Sequence, residues 1–226
     1  MPLNVSRIRA ICFDVDGTLS DTDNVFVAKL ARTLKPFHFL FPKKDIQLVA
    51  RRLVMDIEAP ANFLISVPDF LGLDGPIAWL FDKISRTIGH KPKKEFLLVH
   101  GVKEMLQTLD QRYPLAIVSA RDARSTRAFL EQYDLLPFFK CIATAQTCNH
   151  TKPFPDPILW AAERMGVPPD ACLMVGDTTV DIRAGKVAGA QTVGVLCGFG
   201  EQPELRQRGA DIILATTAEL VHVLEE

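Results

Sequence analysis

Short apolar runs alternate with longer amphipathic segments over most of the chain. Five of these runs have the length and the isoleucine and valine content of buried β-strands, and they cover residues 8–13, 115–118, 172–175, 191–196 and 211–214. Strands separated by segments of helical length predict βαβ units. The pattern therefore predicts an α/β fold: a Rossmann-like parallel sheet core flanked by helices.

Two of the intervening segments carry clear helix signals. Apolar side chains at the spacing i, i+3, i+4, i+7 predict one buried helix face, formed by Val102, Met105, Leu106 and Leu109. Asp156 followed by Pro157 predicts a helix start, with the aspartate as N-cap and the proline as the first helical residue.

Residues 20–96 interrupt this alternation. They contain no convincing strand pattern, and their helical pieces are separated by prolines and glycines: Pro36, Pro42, Pro60, Pro68, Gly72, Gly75 and Pro76. We therefore expect a core domain formed by residues 1–19 and 97–226. A small α-helical cap domain, residues 20–96, is expected as an insertion after the first strand.

Composition and charge narrow the classes of function. Of the 226 residues, 48% are hydrophobic and 23% are charged, as in an ordinary globular protein. The 26 Lys and Arg residues against 27 Asp and Glu give a formal charge of −1, which argues against nucleic acid or a membrane surface as partner. The five cysteines form no C-x-x-C motif, and Cys141, Cys148 and His150 match no common zinc spacing. We expect reduced thiols and a cytoplasmic protein.

Acidic residues follow the first predicted strand. Asp14 and Asp16 belong to the sequence Asp-Val-Asp-Gly-Thr, which ends at Thr18. Ligand sites of open parallel sheets lie beyond the carboxyl ends of the strands, and two carboxylates so close repel each other unless a cation or a proton separates them. The alternative is an acidic turn made by Gly17.

A second acidic pair, Asp177 and Asp181, follows the predicted strand at residues 172–175. Oxygen ligands from two strand ends suit a hard cation, Mg²⁺ in particular. Asp181 also has a structural interpretation, because an aspartate four residues beyond Asp177 can cap the next helix.

Two further polar residues occupy comparable places. Ser119 follows the strand at residues 115–118, where its hydroxyl and the next backbone N–H groups could hold an anion. Lys152 lies in a loop whose backbone is restricted by Pro153, Pro155 and Pro157. A lone lysine is usually a solvated surface residue, but this loop specifies its position.

Taken together, these motifs resemble the haloacid dehalogenase-like hydrolase superfamily. The resemblance covers nearly the whole chain, and the stretch at residues 181–190 is similar to the phosphoglycolate phosphatase group. It implies a phosphatase with a helical cap. It is carried by four motifs in order: D-x-D-G-T at residues 14–18, Ser119, K-P-x-P-D-P at residues 152–157, and the pair Asp177 and Asp181.

The resemblance also implies roles for individual residues. Asp14 would be the nucleophile and Asp16 the general acid and base. The implied Mg²⁺ ligands are Asp14, the Asp16 backbone carbonyl and Asp177, with Asp181 either contacting the cation or orienting Lys152 or a metal-bound water. Lys152 and Ser119 would hold phosphoryl oxygens. Thr18 is expected to support Asp16 and to belong to the substrate site.

One departure from the family lies directly after Ser119. Ala120 stands where these phosphatases often have asparagine, and Arg121 follows it. Ala120 and Arg121 are candidate substrate-binding residues. The simpler interpretation of Arg121 is an exposed arginine at a helix start.

Several activities occur within such a superfamily. Asp16 argues against dehalogenases and phosphonate hydrolases, and Phe26 stands where related sugar phosphomutases usually have histidine. A phosphatase acting on a small phosphorylated metabolite, with phosphoglycolate favoured by resemblance, is the first hypothesis. The alternatives are a sugar phosphomutase, a pyrophosphatase and a non-catalytic assembly protein. Arg51 and Arg52 are candidate substrate contacts in the cap, and a monomer or homodimer is expected.

Overall fold

The computed structural model describes residues 3–21 and 96–225, which belong to one compact unit. Its centre is a six-stranded, all-parallel sheet with the strand order β3-β2-β1-β4-β5-β6. The strands are β1 (Ala10–Phe13), β2 (Leu115–Val118), β3 (Phe139–Ala143), β4 (Cys172–Gly176), β5 (Gln191–Val195) and β6 (Ile212–Leu214). The predicted α/β fold is confirmed. The predicted cap domain, with Phe26, Arg51 and Arg52, lies outside the described residues apart from its ends.

Helices connect the strands as expected for βαβ units. They are α1 (Val102–Leu109), α2 (Ala123–Gln132), α3 (Asp156–Met165), α4 (Thr179–Ala188), α5 (Gln202–Gln207) and α6 (Leu220–Glu225). The predicted buried face of α1 is confirmed, since all four of its apolar residues are buried. In residues 3–21 and 96–225 no helix has the length and apolar character needed to cross a membrane.

Two details of the prediction were wrong. Helix α3 begins at Asp156 itself, with Pro155 in the cap position, because a proline at the second helical position still lies in the first turn, where no N–H partner is lost. Strand β3 was missed. Within the described part of the chain it is an edge strand that pairs with β2 alone, and Lys140 is exposed, so its sequence lacks a continuous apolar run.

The two faces of the sheet carry side chains of different size. On β1, Ile11 and Phe13 point into one core cluster, while Ala10 and Cys12 point into the other. The larger side chains pack with α1, α2 and α6, and the smaller ones pack with α3 and α4. Small side chains allow α4 to approach closely: a Cβ on Gly185 would lie 2.5 Å from Thr192 Cγ2 on β5.

The topology brings three strand ends together. β1 lies between β2 and β4, and Phe13, its last residue, pairs with Ile117 on one side and Val175 on the other. The loops that follow these three strands therefore start side by side at one edge of the sheet.

Candidate active site

Asp14 and Lys152 form the centre of the site. Asp14 directly follows β1, and its backbone N–H donates to the Val175 carbonyl at 2.9 Å. The Lys152 Nζ atom lies 2.7 Å from Asp14 Oδ1 and 2.5 Å from Asp181 Oδ1. All three side chains are more than nine-tenths buried. One ammonium group therefore connects carboxylates that come from β1 and from α4.

The loop that carries Lys152 is fixed on both sides. The Phe154 N–H donates to the Thr151 carbonyl at 3.0 Å. His150 Nδ1 lies 3.2 Å from Asp156 Oδ1, and its ring packs on Phe154 with the centroids 4.9 Å apart. The prediction that this loop specifies the position of Lys152 agrees with these contacts.

Asp181 combines the two roles that the sequence left open. Its Oδ2 atom accepts hydrogen bonds from the Thr178 backbone N–H at 3.0 Å and from the Thr178 hydroxyl at 2.7 Å, which closes a capping box on α4. Its Oδ1 atom accepts the bond from Lys152 at 2.5 Å. Oδ2 thus already accepts two hydrogen bonds and Oδ1 already binds a cationic ammonium group. This geometry favours the positioning of Lys152 over direct contact with a cation.

Asp177 is fully buried and lies in a narrow space. Its Oδ2 atom accepts from the Phe199 backbone N–H at 2.9 Å, and its Oδ1 atom accepts from the Thr18 hydroxyl at 3.3 Å. A Cβ on Gly17 would lie 2.3 Å from Asp177 Oδ2, and one on Gly198 would lie 2.1 Å from it. Glycine is therefore required on both sides of this carboxylate.

These contacts correct one prediction and add residues that it missed. Thr18 hydrogen-bonds Asp177 instead of supporting Asp16, because the turn at Gly17 (φ +71°) carries the chain toward the β4 edge. The loop at residues 197–200 was not predicted as part of the site. The only signal for it in the sequence is the pair of glycines, Gly198 and Gly200, shortly after a strand.

The acidic side chains form a cluster that could hold a metal ion. Asp14, Asp177 and Asp181 each offer a carboxylate oxygen, and these oxygens lie within 4.8 Å of one another. When ionised, the three carry three negative charges against the one positive charge of Lys152. A divalent cation would balance the remainder, and the all-oxygen donor set suits a hard cation such as Mg²⁺.

The pKa values of Asp14 and Lys152 reflect the same excess of negative charge in the cluster. Burial raises the pKa of Asp14 to about 7, and Asp181 and Asp16 add to this rise although Lys152 opposes it. Burial also disfavours the charge on Lys152, but Asp14 and Asp181 outweigh it and raise the pKa of the lysine. Lysine therefore stays charged at neutral pH, whereas Asp14 needs a further positive charge to be fully ionised.

The β2 end contributes Ser119 and Arg121. The buried Ser119 hydroxyl accepts a hydrogen bond from the Arg121 backbone N–H at 3.1 Å. The Arg121 side chain donates to both carboxylate oxygens of Asp16, from Nε to Oδ2 at 2.9 Å and from Nη2 to Oδ1. Arg121 is thus not an exposed arginine at a helix start. Ala120, between them, is exposed and brings no polar side chain to the cluster.

Comparisons with known proteins show which family the chain resembles. A pyrophosphatase PpaX from Bacillus pumilus is 27% identical, over 98% of this chain and 99% of that protein. A phosphoglycolate phosphatase from Shigella boydii is also 27% identical, over 96% of this chain and 92% of that one. A solved structure of a predicted phosphoglycolate phosphatase from Haemophilus somnus has a TM-score of 0.65 at 21% identity, covering 96% and 98% of the two chains. The haloacid dehalogenase-like hydrolase family matches residues 11–195, which is most of this chain, and the protein belongs to that family.

Proposed function

We propose that this protein is a Mg²⁺-dependent phosphatase that hydrolyses a small phosphorylated metabolite through an aspartyl-phosphate at Asp14. The observation that carries the proposal is the Lys152 ammonium group held 2.7 Å from Asp14 Oδ1 and 2.5 Å from Asp181 Oδ1, beside the buried Asp177. Such a group both orients the nucleophile and offers a fixed positive charge to phosphoryl oxygens.

In the first step, a carboxylate oxygen of Asp14 attacks phosphorus while the bond from phosphorus to the leaving oxygen breaks. Asp16, two residues further along the same loop, gives a proton to that leaving oxygen. Lys152 and Ser119 bind the oxygens of the phosphoryl group as it is transferred. The products of this step are the free leaving group and a phosphoryl group on Asp14.

In the second step, a water molecule attacks the phosphorus of the aspartyl-phosphate. Asp16 takes one proton from this water, and the bond from phosphorus to the Asp14 oxygen breaks. Inorganic phosphate leaves, and Asp14 and Asp16 return to their starting states. The two half-reactions thus use the same carboxylate first as an acid and then as a base.

The residues that would hold the cation are Asp14, Asp177 and the backbone carbonyl of Asp16, and the cation would offset the repulsion between nucleophile and phosphate. Asp181 would not need to bind it directly, since its two oxygens are bonded to Lys152 and Thr178. Thr18 and Phe199 would fix Asp177 in the orientation that ligation requires.

Phosphoglycolate and pyrophosphate are the two candidate substrates. Relatives with both names align with almost the full length of this chain at similar identity. The alternative activity with the same chemistry is that of a sugar phosphomutase. A non-catalytic protein on this fold would be expected to lack one of Asp14, Asp16, Lys152 or Asp177, and all four are present. A cytoplasmic location, a monomer or homodimer, and no nucleic-acid or membrane partner belong to this proposal.

The test is phosphate release from a panel of metabolites that includes both candidates, with and without Mg²⁺ and with p-nitrophenyl phosphate as a general probe. The wild type should require Mg²⁺, and Asp14→Asn should be inactive although folded. Asp134→Asn provides a matched control, because this carboxylate is exposed and remote in the sequence from the motifs. An inactive wild type, or an Asp14→Asn variant with wild-type turnover, would contradict the proposal.

A further inference from the structure

Arg121 has no role in the mechanism proposed above, although its side chain is held close to the site. Its guanidinium group stacks over the Phe96 ring at 5.1 Å and over the Phe129 ring at 5.9 Å, and only 12% of its side chain is exposed. Its backbone N–H is bonded to the Ser119 hydroxyl. The two rings and the backbone bond place this charge next to Asp16 and Ser119 with little conformational freedom.

Two of the three nitrogens of this guanidinium group donate hydrogen bonds to described residues. Nε and Nη2 both bind the Asp16 carboxylate, as in a bidentate arginine–carboxylate pair. The third nitrogen, Nη1, is buried and has no hydrogen-bond partner among residues 3–21 and 96–225. A buried donor without an acceptor is costly, and such groups are uncommon away from sites that bind something.

The position of Asp16 indicates which part of a substrate would meet Arg121. In the proposed mechanism Asp16 exchanges a proton with the leaving oxygen, so a group bound to its carboxylate lies on the leaving-group side of phosphorus. In the present structure both Asp16 oxygens accept bonds from Arg121. A planar guanidinium fork that fits this carboxylate also fits a carboxylate or phosphate group carried by a substrate.

We infer that Arg121 is a specificity-determining residue that binds an anionic group on the leaving portion of the substrate, an inference that rests on the proposed function. The substrate anion accepts a hydrogen bond from Nη1 and displaces Asp16 from Nη2. Asp16 is then released to face the leaving oxygen. Substrates whose leaving group is itself anionic, a carboxylate or a phosphate, are therefore selected over those with a neutral leaving group.

The alternative is that Arg121 only positions Asp16, which would affect all substrates alike. The two roles are separated by comparing phosphoglycolate with 2-hydroxyethyl phosphate, which replaces the carboxylate by a neutral hydroxymethyl group. Pyrophosphate is the second anionic substrate. It distinguishes recognition of a phosphate group from recognition of a carboxylate group. The variants are Arg121→Met, which removes the charge, and Arg121→Lys, which keeps the charge but loses the fork. Arg124→Met is the control, because Arg124 is exposed in the first turn of α2, three residues after Arg121.

The expected result is a loss of about 10- to 100-fold in kcat/KM of Arg121→Met for the preferred anionic substrate, as for the loss of a charged hydrogen bond. Its kcat/KM for 2-hydroxyethyl phosphate should change much less, and Arg121→Lys should lie between. An equal loss for all substrates, or no loss for any, would overturn the inference.

A binding measurement keeps the inference testable without turnover. Phosphoglycolate and pyrophosphate are titrated calorimetrically into wild type and Arg121→Met in a chelator, where the proposed reaction does not proceed, and thermal unfolding verifies that both proteins are folded. Binding to the variant should be weaker. Equal affinities would overturn the role of Arg121. A wild type that binds these anions but hydrolyses no phosphoester would instead refute the proposed function, so the two failures are distinguishable.

Discussion

The buried carboxylate of Asp14 should lower the stability of the metal-free protein. Burial raises the pKa of Asp14 from its usual value of 3.8 to about 7. At neutral pH the unfolded chain has released this proton while the folded site partly retains it, so stability from this group falls as pH rises from about 4 to about 7. A shift of about three pKa units at 1.36 kcal/mol per unit gives a cost of about 4 kcal/mol. Asp14→Asn removes the cost and keeps the shape of the side chain.

The attraction to Lys152 is already included in this cost, because it opposes the rise in the pKa of Asp14. The gain is smaller than the full cost, because the asparagine amide is itself a buried polar group whose N–H donors need partners. We therefore expect Asp14→Asn to be more stable than wild type by about 1–3 kcal/mol in a chelator at pH 7.5. For a chain of this length, the gain corresponds to a rise in Tm of about 2–4 °C per kcal/mol.

The assay is thermal unfolding followed by circular dichroism in chelator at pH 4.5 and pH 7.5, then with Mg²⁺ at pH 7.5. The difference between variant and wild type should shrink at pH 4.5, where Asp14 is protonated in the folded state and increasingly in the unfolded state. Mg²⁺ should stabilise wild type by about 2.7 kcal/mol at a hundredfold excess over Kd. The exposed control Asp134→Asn should behave like wild type at both pH values and should be stabilised by Mg²⁺ to the same extent. A wild type more stable than Asp14→Asn in chelator at pH 7.5 would refute the reasoning.

Two further variants probe how the cluster is held. Lys152→Met leaves Asp14 and Asp181 without the ammonium group that joins them, so it should cost about 3–5 kcal/mol in urea unfolding and abolish phosphate release; an unchanged unfolding midpoint would contradict this. Gly198→Ala would place a Cβ 2.1 Å from Asp177 Oδ2. The carboxylate must move, and the Mg²⁺ concentration for half-maximal activity should rise about 10- to 100-fold, measured by metal titration. An unchanged titration would show that this loop does not position Asp177.

The central strands were predictable because they are buried on both faces. β1, β2 and β4 read as continuous apolar runs, and the acidic or hydroxyl residues that follow them, Asp14, Ser119 and Asp177, stand out against that background. β3 was not predicted, because an edge strand needs no apolar side chain on its exposed positions and Lys140 breaks its pattern. The ends of the central strands, where the candidate site lies, could therefore be predicted from the local sequence.

The contacts between loops could not be predicted in the same way. Thr18 was assigned to Asp16, its neighbour in sequence, but the structure places it against Asp177, 159 residues away along the chain. The pair formed by Arg121 and Asp16 likewise joins residues 105 positions apart. Such pairs leave no periodic pattern in the sequence, because they depend on which loops the parallel sheet brings side by side.

The most direct test of the account is to identify the phosphorylated residue during turnover. Wild-type protein is mixed with Mg²⁺ and its best substrate from the panel, quenched in acid within the first turnover, digested, and examined by mass spectrometry. We expect a phosphoryl adduct on Asp14 that disappears as turnover is completed and is absent from Asp14→Asn. Rapid turnover with no adduct on Asp14, or with an adduct on another residue, would contradict it.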